Sequence, residues 1–427
     1  MMKKKILIFE YWTKTIKSQI LPILNRLDKS QYQISLVHFA SLVGYTEKQH
    51  DHIDLVECFD FSVISKHNLE KIFNNFNPNI ILVLNTHSLL DRAIIKYANY
   101  KKIPVYYIQH GLSWMNSLGN EGLNNLMKGR YTLRRYLKKA KKYFYYFIIY
   151  MWVSLIIDKF YLLKCEIYKT IFDAIFRPIN FLYYPPLSNL NAPSLSFVYG
   201  ELDKQALINN YGYESNKIKV VGSILFENYV EILNTDYNKL KGKIFSKESS
   251  LNNGKKTVVF LTGIAAEFGS NEVTAPIFID FVKNIINTII RNNFNLIIKL
   301  HPSANYDLYS QFNDLPGVLI TKNINLLEVI AISDVVISEP STAIFSSVLL
   351  RKKIIVLRFF KLHMNNFDFV KEGVAMDCQS FEQLESYLTN HDNLISSNFT
   401  PNYKNFLKKY CYFNEKKPTE IIANYIS

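Results

Sequence analysis

Short runs of Ile, Val and Leu recur along this chain with room for a helix between each pair, and this spacing restricts the available folds more than any other feature. The runs are Ile6–Phe9, Gln33–His38, Asn79–Leu84 and Val105–Ile108 in the first half, then Val258–Leu261, Leu296–Leu300, Val335–Ile337 and Ile354–Leu357. Each is strand-length, and the intervening stretches, such as Leu69–Asn74 and Ile277–Arg291, suit helices. Strands without polar alternation are covered on both faces, and strands that alternate with helices run parallel. The rhythm predicts an α/β protein of two doubly wound, Rossmann-like domains.

The 427 residues are too many for one core, since single cores stop growing near about 250 to 300 residues. The expected division is a first domain over residues 1–235, a linker over 236–255 inside the polar stretch Asn234–Lys256, and a second domain over 256–405. Residues 406–427 are expected to form a helix that returns to the first domain. With 48% apolar and 20% charged residues, the chain has ample material for buried cores.

Fifty Lys and Arg against 36 Asp and Glu give a net charge of +14, which favours an anionic partner. Nucleic acid is not expected, because no zinc-finger spacing, RNP pattern or helix-turn-helix signal accompanies the charge. The cysteines, Cys58, Cys165, Cys378 and Cys411, form no CxxC pair, which argues against a zinc site or a disulfide framework and fits a reducing cytoplasm. The first apolar run has four residues before Glu10, too few for the core of a signal peptide.

Open parallel sheets bind ligands beyond the carboxyl ends of their strands, so the residues after each run carry the most information. Glu10 closes the first run, Asn85-Thr86-His87 follows a later one, and Gln109-His110-Gly111 follows the next. A neutral imidazole at His110 suits proton abstraction from an acceptor hydroxyl near pH 7; the alternative is a histidine that caps local backbone. His87 is a second candidate base and Glu10 a third catalytic candidate. In the second half, Thr262-Gly263 offers a point of close backbone approach. His301-Pro302 ends its strand, because proline supplies no ladder donor, and the histidine could donate to a phosphate. Ser338-Glu339-Pro340-Ser341-Thr342 precedes an apolar helix over Ala343–Leu350, where the Ser341 and Thr342 hydroxyls and the first amides suit a diphosphate and Glu339 suits ribose hydroxyls. An ordinary N-cap at Ser338 is the alternative. The two sets of rims are expected to face each other across a cleft.

Residues 120–190 break the βαβ rhythm. Lys128, Arg130, Arg134, Arg135, Lys138, Lys139, Lys141 and Lys142 come without an acid and precede the uncharged run Tyr143–Ile157. Without these eight cations the net charge falls from +14 to +6. As a helix the uncharged run spans roughly 22 Å, short of the roughly 30 Å of a hydrocarbon core. The stretch is therefore expected to dock on an anionic membrane surface, with Trp152 at headgroup level. A buried helical hairpin is the alternative.

Taken in order, QHG at 109–111, Lys219-Val-Val-Gly-Ser223, LTG at 261–263, KLHPSA at 299–304 and SDVVISEPSTAIFSSVLLRKKIIVL at 333–357 resemble GT-B glycosyltransferases of bacterial capsule, lipopolysaccharide and teichoic-acid synthesis. The likeness is loose over 1–120 and firmer over 195–360. It is similar in motif to bacterial sialyltransferases and capsule polymerases, and to the glycerophosphotransferases that use CDP-glycerol. The resemblance implies that His301, Ser341 and Thr342 hold nucleotide phosphates, with Glu339 at the ribose or base and His110 as the base. The sialyltransferase acidic motif, Asp or Glu before Asp-Gly, is absent, as is a DxD, so neither a sialic acid donor nor a metal is expected. The activity implied is inverting, metal-independent transfer from a nucleotide-sugar, a substrate rather than a cofactor, to a surface polysaccharide or lipid-linked glycan at the cytoplasmic face of the bacterial inner membrane. A CDP-glycerol or CDP-ribitol polyol-phosphate transferase, a UDP-sugar 2-epimerase and a non-catalytic membrane-bound scaffold are the rivals.

Overall fold

The structure, a computed structural model, describes residues 3–11, 14–43, 50–53, 56–65, 68–86, 88–110, 133–157, 192–227, 229–246, 250–263, 274–301, 304–359, 368–390, 399–411 and 416–427. The chain forms two compact units, Met1–Leu225 with Lys408–Ser427, and Phe226–Leu407. The described strands, in chain order, are β1 (Lys4–Glu10), β2 (Tyr32–His38), β3 (His50–Ile53), β4 (Val56–Asp60), β5 (Ile80–Val83), β6 (Val105–Ile108), β7 (Leu195–Val198), β8 (Ile218–Val220), β9 (Thr257–Leu261), β10 (Asn295–Lys299), β11 (Val318–Thr321), β12 (Val335–Ser338), β13 (Lys353–Leu357) and β14 (Met376–Cys378).

The first unit holds an eight-stranded sheet in the order β3-β4-β2-β1-β5-β6-β7-β8, and the second a six-stranded sheet in the order β11-β10-β9-β12-β13-β14. Every pairing is parallel except β3 with β4, an antiparallel edge. The strands are apolar because helices cover both faces. All five residues of β9, TVVFL, are buried. The helix Ala275–Arg291 lays Phe278, Phe281, Val282, Ile285, Ile286 and Ile289 on one face, the spacing of a single helical stripe. Pro276 stands in its first turn, and Asn293, at φ 63°, carries the chain out of the helix. Both units are thus doubly wound α/β layers.

The stretch 236–255, expected as a linker, contains the helix Tyr237–Phe245, N-capped by the Asp236 side chain, with Leu240, Ile244 and Phe245 buried. It belongs to the second unit, whose first residue is Phe226. Its polar surface reads as a connector, but an apolar residue every third or fourth position gives it a face to bury. At the other end of the chain, the helix Pro418–Ile426 buries Ile422, Ala423 and Ile426 among Ile6, Ile8, Ile20 and Leu24 of the first unit. The Lys4 ammonium donates to the Ile426 carbonyl at 2.9 Å, and the Arg26 guanidinium donates to the Thr419 hydroxyl.

The basic and aromatic stretch forms a helix from Leu133 to Ile157, longer than the uncharged run alone. Tyr146, Ile149, Tyr150 and Val153 are buried in the first unit's core against the helix Leu89–Tyr100, and Trp152 packs on that core half-buried. Lys96 is fully buried there; its ammonium donates to the Ser154 hydroxyl at 3.1 Å and lies 5.7 Å from the centre of the Tyr150 ring. Tyr143–Ile157 therefore does not lie in a lipid leaflet as a whole: one face is protein interior. The opposite face leaves Tyr145, Ile148 and Leu155 exposed at 37%, 45% and 40%. Arg134, Arg135, Lys138, Lys139, Lys141 and Lys142 lie along the first half of the helix, and their side chains are outside the described residues. Among the described residues, no helix is long and apolar enough to cross a membrane.

Candidate functional site

In the second unit, β10, β9 and β12 are neighbours, and neighbouring strands lie about 4.8 Å apart, so the loops leaving their carboxyl ends fall within about 10 Å of one another. Hydrogen bonds draw them closer. The Thr262 hydroxyl accepts the N–H of His301 at 3.1 Å, which ties the end of β9 to the end of β10. The Gly263 N–H donates to the Glu339 carboxylate at 2.6 Å, which ties β9 to β12. A Cβ on Gly263 would stand 2.8 Å from a Glu339 oxygen, so a larger residue there would have to displace this carboxylate. Ser338 is a rim residue rather than a helix cap: its hydroxyl donates to the Glu339 carbonyl at 2.6 Å and lies 3.4 Å from the Ser341 hydroxyl.

Glu339 is buried at 2% exposure, Ser341 is half-buried and Thr342 exposed. The turn they form is closed by the Ile344 and Phe345 amides donating to the Ser341 and Thr342 carbonyls, and the helix that follows is Ile344–Leu349. Thr262, Gly263, His301, Glu339 and Ser341 thus belong to one connected rim, with one Glu339 oxygen spent on Gly263. Pro302 lies outside the described residues.

In the first unit, Glu10 ends β1 with 3% exposure, and its carboxylate accepts the Tyr11 N–H at 2.7 Å. The Tyr11 hydroxyl donates to the Ser88 hydroxyl at 2.8 Å, beside Asp91. Ser88 and Asp91 form a reciprocal capping box at the start of the helix Leu89–Tyr100. Burial raises the Asp91 pKa in spite of these donors, and burial with the nearby Asp91 raises that of Tyr11. After β6, the Gln109 side-chain Oε1 accepts the Tyr199 N–H at 2.8 Å, and the Gln109 backbone N–H donates to the Phe197 carbonyl at 3.0 Å. Gln109 is consumed by the bond to the next strand and His110 is left facing solvent. Protein around the imidazole still removes enough water to lower its pKa below the ordinary histidine value. His110 is therefore mostly neutral at pH 7, the form a base needs. His87 and Gly111 lie outside the described residues.

Sequence reading passed over Tyr11, Ser88, Asp91 and Lys299. Ser88 and Asp91 carry a signal that could have found them: Ser88-Leu-Leu-Asp91 before an apolar run is a capping-box pattern, whereas Tyr11 joins them across 77 positions. Lys299 reads as the last polar residue of a strand, and nothing local shows that it is buried.

No protein-family model and no curated protein matches the chain. Solved structures do. A wall teichoic acid polymerase TagF, in a variant soaked with CDPG, aligns with a TM-score of 0.57 at 12% identity, covering 99% of this chain and 88% of that one. A UDP-GlcNAc 2-epimerase from Methanocaldococcus jannaschii aligns with a TM-score of 0.53 at 14% identity, covering 99% of both chains. The enzyme of that name from Neisseria meningitidis, bound to UDP-GlcNAc, gives 0.50 at 14% identity over 99% of this chain and 98% of that one. At such identities the likeness is one of fold: two parallel-stranded α/β units in one chain, the GT-B type.

Proposed function

We propose that this protein is an inverting, metal-independent glycosyltransferase that moves a sugar from a nucleotide-sugar to a surface polysaccharide or lipid-linked glycan. The observation that carries the reading is the connected rim of Thr262, Gly263, His301, Glu339 and Ser341 at the carboxyl ends of three adjacent parallel strands. This is the edge where such sheets take nucleotides. In this reading His110 removes the proton of an acceptor hydroxyl, and the freed oxygen attacks the anomeric carbon. The bond to the nucleotide phosphate breaks, and His301, Ser341, Thr342 and the nearby amides receive the charge of the departing group. Glu10 orients the acceptor from the end of β1. Glu339 shares its carboxylate between Gly263 and the ribose.

Thermal shift with UDP-, CMP-, GDP- and CDP-linked donors tests the reading, because a ligand that binds only the native state raises its stability by mass action. CDP-glycerol belongs in the panel, since the TagF relative was soaked with CDPG; stabilisation by CDP-glycerol and by no nucleotide-sugar would convert the proposal to polyol-phosphate transfer. Replacing Ser341 and Thr342 together by Ala is expected to weaken a nucleoside diphosphate about tenfold or more and its nucleoside hardly at all, as hydrogen bonds to charged groups contribute about 1.5 to 3 kcal/mol. Calorimetry showing equal losses for both ligands would return the pair to a structural role.

The same proposal places the protein at the inner face of the cytoplasmic membrane. The six cations from Arg134 to Lys142 approach an anionic surface, and the exposed Tyr145, Ile148 and Leu155 rest on it. Replacing Arg134, Arg135, Lys138, Lys139, Lys141 and Lys142 by Gln removes up to about 6 kcal/mol of attraction at roughly 1 kcal/mol per cation. The variant is expected to stay in solution when wild-type protein floats with phosphatidylserine vesicles at low salt, and 1 M salt should mimic it. Continued flotation of the folded variant would overturn the placement.

A further inference from the structure

Beside the donor rim, on the far side of His301 from β9, two lysines share a short stretch of backbone. Lys299, the last residue of β10, is buried at 8% exposure, and its ammonium donates to the Lys322 carbonyl at 2.8 Å. Lys322 follows β11, the neighbour of β10, and its ammonium donates to the Ala304 carbonyl at 3.1 Å. Ala304 is three residues past His301, and its N–H in turn donates to the His301 carbonyl at 2.9 Å. The pair thus brackets the loop that leaves β10. Burial and the charge of Lys322 lower the Lys299 pKa, so the two cations act on each other.

Among the described residues, each ammonium meets one backbone carbonyl and no carboxylate lies within ion-pair distance. An ammonium has three donors, so each keeps two N–H groups after its carbonyl. A buried cation is costly unless an anion offsets it, and two cations held together raise that cost. A structural role alone would be met at lower cost by neutral side chains. The carboxyl edge of a parallel sheet is also where ligands sit.

We infer that Lys299 and Lys322 form an anion subsite that takes the phosphoryl oxygens of a substrate, adjoining the His301 end of the rim. The assignment rests on the reading of that rim as the substrate edge, and it adds a recognition element for phosphate outside the Ser341–Thr342 turn. Two sources offer the same chemistry: the diphosphate of a nucleotide donor, and a phosphate carried by an acceptor.

The test measures acetylation of Lys322 by limiting acetic anhydride, mapped by mass spectrometry, with inorganic pyrophosphate, CDP, UDP or glycerol 3-phosphate present. It is joined by calorimetry of the same ligands on wild-type protein and on Lys322→Gln, an exposed position, with thermal unfolding of both proteins to show that the variant is folded. Pyrophosphate is expected to protect Lys322 and to bind Lys322→Gln about tenfold more weakly than wild type. Protection by CDP or UDP assigns the subsite to the donor, and protection by glycerol 3-phosphate alone assigns it to an acceptor. Pyrophosphate protection with no nucleotide binding would leave the subsite standing and sink the nucleotide-sugar proposal. Undiminished labelling with every phosphate, or equal pyrophosphate affinity in both proteins, would overturn the subsite itself.

Discussion

Replacing His110 by Ala should lower transfer by about a hundred- to ten-thousand-fold, the usual contribution of a positioned general base. Donor affinity should hardly move, because the residues proposed to hold the nucleotide belong to the second unit and His110 to the first. The pH profile adds a sharper readout. Burial lowers the His110 pKa, so the wild-type kcat/KM should rise with pH along an acidic limb whose midpoint lies below the ordinary histidine value of about 6.5. The variant should lose that acidic limb. A lowered histidine pKa also has a sign for stability: the folded state disfavours the proton, so any stabilisation is present above the unfolded pKa and is lost as pH falls below it. The exposure of His110 keeps that term small. An unaltered acidic limb in His110→Ala, or wild-type turnover, would remove His110 from the chemistry.

Replacing Tyr150 by Ala should cost the first unit about 3 to 5 kcal/mol, the range for removing a large aromatic from a core. Tyr150 is 1% exposed, sits among Tyr146, Ile149 and Val153, and carries the Lys96 ammonium against its ring. Its loss opens a cavity and leaves a fully buried cation with less to face. Ile148→Ser, on the exposed side of the same helix, should cost less than about 0.5 kcal/mol in solution. The two variants separate packing from lipid contact: Tyr150→Ala should be destabilised with or without vesicles, and Ile148→Ser should keep its stability and weaken flotation. A harmless Tyr150→Ala, measured by urea unfolding, would mean that the helix is not part of the core.

The alternation of apolar runs and helical stretches gave away the class of fold because parallel strands must be buried on both faces, a demand visible in composition alone. β6 emerges with the bounds read from sequence, Val105–Ile108, and β9 and β10 within a residue at each end. What escaped were strands too short or too polar to stand out, β4 (VECFD) and β7 (LSFV) among them. Their burial comes from neighbours in the sheet, not from their own pattern. The helix Leu133–Ile157 was legible as a helix but the partner of its apolar face was not: a face bound for lipid and one bound for a protein core have the same residues, and only the partner distinguishes them. In the site, Thr262, Gly263 and His301 were legible as rim residues, but the bond between Gly263 and Glu339 spans 76 positions. No local spacing encodes it.

The first unit is discontinuous: Ile422, Ala423 and Ile426 fill its core beside β1, and the whole second unit lies between its two pieces. On the ribosome, residues Phe226–Leu407 are all synthesised before the last piece of the first unit. The earlier-made sheet must wait, with part of its apolar face unsealed, until Lys408–Ser427 emerges. Each deeply buried Ile of that segment contributes about 1.5 to 3 kcal/mol, so the order of synthesis and the order of completion are reversed. A released chain lacking residues 408–427 would hold all of the second unit and an unfinished first one.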